Sequence, residues 1–344
     1  MSEEPQKRCS RDRDGWTRRE FLRTSLAGGL IAASGLSLHH WMNQPKFHAE
    51  TFIGRVPRYT ADIRSVIIGG MKELGVSSSE IKGKRILLKP NLVETHADLT
   101  HINTHPLVVR GTVEAFLSLG AQEVLVGEGP GHRRDTLDVL ETSGLGEVLY
   151  EDHIRFLNLN YEEGRTIRNQ GRQSTLPTLI FPKVFQAIDW IVSLAKLKTH
   201  HWTGATLSMK NLFGVMPGIY YGWPKNVLHQ AGITNSIIDI NATLKPHFAI
   251  VDGIIGMEGD GPIMGSPKPA GLLIMGRNFA AVDATCCRVM GIDPHKINYL
   301  IRANNWMGPI HQSQIEQRGE PIMAVRNPFS LLPSIPAHQN IRLA

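Results

Sequence analysis

The chain has 344 residues, 42% hydrophobic and 20% charged, the balance of a globular protein long enough for one large α/β domain or two modest ones. Its formal net charge of +6, with seven basic and five acidic side chains in the first 23 residues, is too mild and dispersed to imply nucleic-acid binding, and no nucleic-acid partner is expected. Its cysteines, Cys9 and the adjacent Cys286 and Cys287, form no C-x-x-C, so neither an iron–sulfur ligand run nor a disulfide framework is expected, and the adjacent pair reads as small core residues.

Residues 1–50 read as a leader outside the fold. Thr17-Arg18-Arg19-Glu20-Phe21-Leu22-Arg23 resembles the twin-arginine export signal of bacteria, and the apolar stretch after it, Leu26 to Leu38, is too short for an ordinary membrane helix. The expected partner is the twin-arginine export machinery. The expected destination is the periplasm or the outer face of the cytoplasmic membrane. Phe47-His48-Ala49 is a poor match to a cleavage site, which leaves an uncleaved N-terminal membrane anchor as a second outcome. That route carries proteins already folded, often with a cofactor, without naming one. Replacing Arg18 and Arg19 together by lysine is expected to hold the protein in the cytoplasm, because the export receptor reads the arginine pair rather than its charge. Cell fractionation of the double variant checks this, and unchanged export refutes it.

The body is expected over 51–307. Pro57 to Val76 has helical spacing, with Ile63, Val66 and Ile67 on one stripe. Arg85 to Leu88 is a short strand that exits into Lys89-Pro90-Asn91. Pro106 suits a first helical turn, and that helix ends at Gly120. Val124 to Val126 is a strand exiting into Gly127-Glu128-Gly129-Pro130-Gly131, and Thr136 to Thr142 is helical. Arg155 to Leu159 and Thr178 to Phe181 are strands around a polar stretch, Asn160 to Ser174, that reads as an insertion or a hairpin. Trp190 to Leu194 is a buried strand. It exits into a basic loop, Lys196 to His201, and then a short helix starting at Gly204, capped by Thr203, with Thr206 and Lys210 on the same face. Ala231 to Leu244 is a helix, and Phe248 to Val251 a strand exiting into the acidic loop Asp252 to Gly261. Gly271 to Met275 is a strand, and Phe279 to Met290 and Pro294 to Asn304 are helices. Residues 308–344 read as an irregular, Pro-containing tail.

Strands alternating with helices predict an α/β fold, a mainly parallel sheet with helices on both faces and a ligand site at the C-terminal ends of the strands. Four strand exits carry unusual polar loops, which predicts one shared site. Lys89, Lys198 and Lys210 are expected to hold a small anionic molecule, helped by the helix N-terminus at Gly204, with Asn91, Thr203 and Asn211 as further ligand-binding residues. Glu128, His200 and Asp260 are candidate ligands of a divalent metal. Catalytic roles fall on Lys198, Lys210, Asp252 and Glu258, the carboxylates binding metal or moving protons. Asp283, an acid in an apolar helix, needs a partner and is matched to Lys198 or Lys210. The glycine loop at residues 127–131 fails the dinucleotide fingerprint, since His132 stands at its sixth position and Pro130 lacks an N–H. G-x-S-x-G and Walker motifs are absent, which argues against a serine hydrolase and a P-loop ATPase. Two function classes follow: an enzyme acting on a carboxylate or phosphate compound, and a non-catalytic binding or accessory protein of a redox or envelope system.

Three motifs in order carry a family resemblance. They are Lys89-Pro90-Asn91, L-K-T-H-x-x-T-G-x-T-x-x-x-K-N-x-F-G-x-x-P-G from Leu197 to Gly218, and V-D-G-I-x-x-M-E-G-x-G-P from Val251 to Pro262. With the helix around Asp283 and Gly291-Ile292-Asp293-Pro294, they resemble the domain of unknown function 362 family. The resemblance implies one site built from these motifs. Some relatives carry a ferredoxin-like cysteine cluster and are described as iron–sulfur proteins. This chain lacks those cysteines, so no iron–sulfur cluster is expected and the cofactor is unassigned.

Overall fold

The computed structural model describes residues 48–344 apart from 97, 132 and 133. The twin-arginine segment and the apolar stretch after it lie outside the described residues. No helix among the described residues is long and apolar enough to cross a membrane.

The central strands are apolar on both sides and feed two separate cores. In β2 (Arg85–Pro90), Ile86 and Leu88 join one core and Leu87 the other. In β7 (Trp190–His200), Trp190, Val192 and Leu194 join the first, and Ile191, Ala195 and Leu197 the second. A strand covered on both faces keeps no polar side, which is why these segments read as continuous apolar runs. The four longest described helices supply the cover. α1 (Ile63–Glu73) and α2 (Pro106–Ser118) pack into the first core, and α3 (Ile233–Leu244) and α4 (Phe279–Val289) into the second.

The remaining strands of the main sheet are β1 (Ala49–Arg55), β3 (Glu123–Glu128), β4 (Phe156–Asn158), β8 (Gly204–Thr206), β9 (Phe248–Glu258), β10 (Ser266–Gly276) and β11 (Ile315–Gly319). Their order is β11-β1-β10-β9-β7-β2-β3-β4, with β8 pairing beside the end of β7. The run β9-β7-β2-β3-β4 is parallel throughout, as is β1 with β11, while β10 is antiparallel to both its neighbours. This is the mainly parallel α/β sheet that the alternation predicts. From β2 the chain crosses by α2 to β3 and on to β4. It then returns to the opposite side of β2 as β7 and crosses by α3 to β9. Strand order therefore reverses between β2 and β7. Loops leaving the two strands part in opposite directions there and leave a crevice.

Several sequence expectations change. The stretch 160–174 belongs to a hairpin: β5 (Gly164–Arg168) pairs antiparallel with β6 (Thr178–Pro182) as a separate two-stranded sheet. The basic loop at 196–201 is the continuation of β7, because β9 runs beside it and pairs Lys196 with Asp252 and Lys198 with Met257. The acidic stretch is strand as far as Glu258 for the same reason. No helix starts at Gly204. That residue takes a left-handed φ of 76°, which reverses the chain so that β8 pairs back along β7, His200 opposite Gly204 and Lys198 opposite Thr206. The helix comes later, at Ser208–Asn211.

The body also exceeds the expected 51–307. β1 begins inside the stretch assigned to the leader, and β11 rises from the supposed irregular tail to pair with it, Ala49 opposite Ile315 through Ile53 opposite Gly319. β11 reads Ile-Glu-Gln-Arg-Gly and buries only its first residue, so it carries no apolar run to announce a strand.

A candidate anion site at the strand switch point

Where β2, β3 and β7 end, the crevice opens into a cavity of about 1000 Å³. Lys89, Asn91, Glu128, Lys198, Lys210 and Asn211 all line it, together with His200 and Asp260. Trp202, Phe213 and Met264 add apolar wall, and Trp202 and Met264 are largely exposed at its mouth. An apolar wall around a few polar groups is the usual make-up of a small-molecule pocket.

One charge pair neutralises itself. Lys89 Nζ lies 2.7 Å from Glu128 Oε2, both side chains being buried, and donates to Asn211 Oδ1 at 2.9 Å. The Glu128 oxygens also accept the backbone N–H groups of Leu92 at 3.0 Å and Gly129 at 2.9 Å. Burial pulls the Lys89 pKa below its ordinary value and Glu128 opposes that shift. Gly214 lies against this pair so closely that a Cβ there would collide with the Glu128 carboxylate and the Lys89 ammonium. This is a close approach that only glycine permits.

Three other lysines have no carboxylate partner among the described residues. Lys198 is fully buried and donates to the carbonyls of Ile102 at 3.0 Å and Pro262 at 3.2 Å. Burial, then Lys210, Lys196 and Lys89, push its pKa well below the ordinary lysine value. Lys210 is half-buried, with Nζ 5.4 Å from the centroid of the Phe213 ring. Burial and the nearby Lys89 lower it to about 8. Lys225 also lines the cavity, on a left-handed residue with φ 67°. It donates to Asn160 Oδ1 at 2.6 Å and to the Met216 carbonyl. Burial, partly offset by Glu128, brings its pKa to about 7. Sequence reasoning missed Lys225. It is a lone charge after an aromatic, glycine-rich loop, and no spacing marks it.

The structure separates other expected site residues from the cavity. Asp252 does not line it. Its carboxylate is fully buried, 2.8 Å from Lys196 Nζ, and accepts from Tyr59 Oη at 3.3 Å and the His105 N–H at 3.1 Å. Tyr59 stacks on the His105 ring with centroids 3.6 Å apart, and burial drops that histidine to about 4. Glu258 also lies outside, paired with Lys268 at 3.2 Å and accepting the Ser330 N–H. The Thr203 hydroxyl donates to the Ala205 carbonyl at 2.9 Å, inside its own turn, and caps no helix.

The three candidate metal ligands all line the cavity, each with its own neighbours. Glu128 holds Lys89 and two N–H groups. Buried His200 accepts the Trp202 N–H at 3.0 Å on Nδ1, and burial followed by Lys210 keeps it neutral. Asp260 lies 3.7 Å from His201. Among the described residues no three His, Cys, Asp or Glu side chains are grouped to hold a metal.

Asp283 answers neither Lys198 nor Lys210. It accepts the N–H groups of Ser208 at 2.8 Å and Met209 at 3.2 Å, and the hydroxyls of Ser208 and Tyr299. A carboxylate on α4 thus satisfies the free N–H groups at the start of the Ser208–Asn211 helix, in the place of an N-cap. It sets the position of Lys210 and Asn211 from across the core.

The parallel sheet, its switch point and a cavity lined by lysines define an α/β protein with a strand-end cavity. The family described as a domain of unknown function (DUF362) matches residues 86–288, more than half of the chain and every element around the cavity from β2 to α4. The chain belongs to this family. It is similar to the thylakoid-associated protein sll1697 of Synechocystis, 28% identical over 233 residues, which cover 66% of this chain and 70% of that protein. A solved structure of a Thermotoga maritima protein aligns with a TM-score of 0.37 at 16% identity, over 66% of this chain and 58% of its own length.

Proposed function

We propose that this chain binds a small anionic compound, a carboxylate or a phosphate, in the switch-point cavity, with Lys198, Lys210 and Lys225 as its cationic partners. The observation that carries this reading is that the three lysines share one cavity and none has a carboxylate partner among the described residues. Ammonium groups gathered without compensation repel one another, and an anion among them relieves that repulsion.

The lowered lysine pKa values give the reading a signature. In the empty site Lys225, at about 7, and Lys210, at about 8, are partly neutral near neutral pH. A bound anion favours the ammonium forms, so both values rise and binding takes up protons. Affinity is full below these values and falls as pH rises through 7 to 8 and beyond. Titration calorimetry in two buffers of different ionisation enthalpy measures the uptake. Lys210→Ala is expected to weaken binding by about 1.5–3 kcal/mol, the worth of a charged hydrogen bond. Binding that releases protons, or that ignores the loss of Lys210, sinks the reading.

Lysines with lowered pKa values also support an enzyme acting on the bound anion, with Lys198 and Lys210 in catalytic roles. A second reading, a non-catalytic accessory protein at a membrane, draws on the thylakoid association of the Synechocystis relative. The Arg18-Arg19 segment, read as an export signal, is compatible with both, and turnover of a bound compound separates them.

A further inference from the structure

The polar floor of the cavity contains a hydrogen-bond acceptor whose direction is fixed. Asn211 Nδ2 donates to the Lys89 backbone carbonyl at 3.0 Å and to Ser193 Oγ at 3.0 Å. Its Oδ1 accepts from Lys89 Nζ at 2.9 Å. A carbonyl only accepts and an ammonium only donates, so the Asn211 amide has one orientation. Asn91 then has to present its Nδ2 to Asn211 Oδ1, at 3.2 Å. That leaves Asn91 Oδ1 as a buried acceptor with no protein partner, on a residue that lines the cavity and is 8% exposed. Thr206 Oγ1, on a cavity-lining residue 3% exposed, is unpartnered as well. Buried polar atoms are nearly always paired, and two exceptions in one cavity mark positions that a ligand fills.

We propose that the ligand is an anion carrying a hydrogen-bond donor, a hydroxyl or N–H, beside its charged group, and that this donor sets on Asn91 Oδ1 and makes Asn91 a specificity-determining residue. The inference rests on the anion reading above and narrows it. A carboxylate or phosphate ester without such a donor satisfies lysines but offers only lone pairs to Asn91 Oδ1. Bound there, it leaves a buried acceptor unmet. Thr206 Oγ1 both donates and accepts, so it serves either the hydroxyl or the charged group.

The test uses matched pairs that differ in their hydroxyls: lactate against propionate, and glycerol phosphate against propyl phosphate. Affinities for the whole chain are measured by calorimetry near neutral pH. The hydroxyl-bearing member of at least one pair is expected to bind about tenfold tighter or more, the lower range for leaving a buried acceptor unsatisfied. Asn91→Ala removes the acceptor and is expected to bring that ratio close to one, the deoxy member gaining on its partner because no acceptor is left unmet. Should Asn91→Ala not fold, the ratio in the unaltered protein decides the matter by itself. Equal affinities within every pair overturn this inference and leave the anion reading standing. Absence of binding by all four compounds up to about 10 mM, the weak end of specific affinity, overturns both.

Discussion

Replacing Asp252 by alanine is expected to destabilise the fold by about 3–5 kcal/mol, while the affinity of the cavity for anions stays unchanged. The substitution strands Lys196, whose ammonium is fully buried 2.8 Å from the lost carboxylate and has only the Tyr59 hydroxyl left nearby, at 2.9 Å. An unpaired buried charge is among the costliest defects a core can carry. Denaturant unfolding with an unchanged slope and a lower midpoint reports the loss. Removing both charges by Lys196→Met with Asp252→Leu is expected to recover most of it, since apolar residues of similar volume often replace a buried pair at little cost. If Asp252→Ala instead abolished anion binding in a protein of normal stability, Asp252 would belong to the ligand site after all.

A second large loss is expected from Asp283→Ala, about 2–4 kcal/mol at neutral pH, because two backbone N–H groups and two hydroxyls lose their shared acceptor. This loss depends on pH with a definite sign. Burial raises the Asp283 carboxyl from 3.8 to about 6, against the hydrogen bonds that lower it. Between those values the folded protein holds a proton that the unfolded chain has released, so the contribution of Asp283 to stability is full below about pH 4 and declines as pH rises to 6. The gap between the original protein and Asp283→Ala is therefore expected to be wider at pH 4 than at pH 7, by roughly 3 kcal/mol at most. Unfolding curves at both pH values measure it. A gap that widens with pH would mean that the carboxylate is stabilised by its four donors more than it is penalised by burial.

The sheet and its strand ends were legible because parallel strands are apolar on both faces, so Leu87, Val126, Val192 and Ile250 sit in runs that end abruptly in polar residues, whereas the switch point needed the strand order. The motifs Lys89-Pro90-Asn91 and Lys198 to Asn211 stood out for that reason, and both reach the cavity. Which polar residue faces the cavity was not legible. Lys196 and Lys198 are two apart on one strand, yet the first is spent on Asp252 and the second lines the pocket. The pairing of β7 with β9 slips between them, opposite Asp252 for one and opposite Met257 for the other. A slip of this kind depends on a partner strand more than fifty residues away, and no local pattern encodes it. Asp283 shows the same limit. Its need for a partner was readable from its apolar surroundings, but the partner proved to be the start of a helix rather than a lysine. Lys225 and β11 escaped because a lone lysine and a mostly polar edge strand carry no period at all.

The pairing of β1 with β11 joins segments 266 residues apart at every position of their register, from Ala49 with Ile315 to Ile53 with Gly319. On its other edge β1 pairs with β10, and that strand too is synthesised late. During translation, the first strand therefore emerges with neither neighbour and must wait for nearly the whole body to follow. Contacts of such sequence separation form late and slowly. Residues 49–55 therefore gain their sheet neighbours only after β10 and β11 have been made. They thus become fixed to the folded body only when β10 and β11 have closed on them from either side.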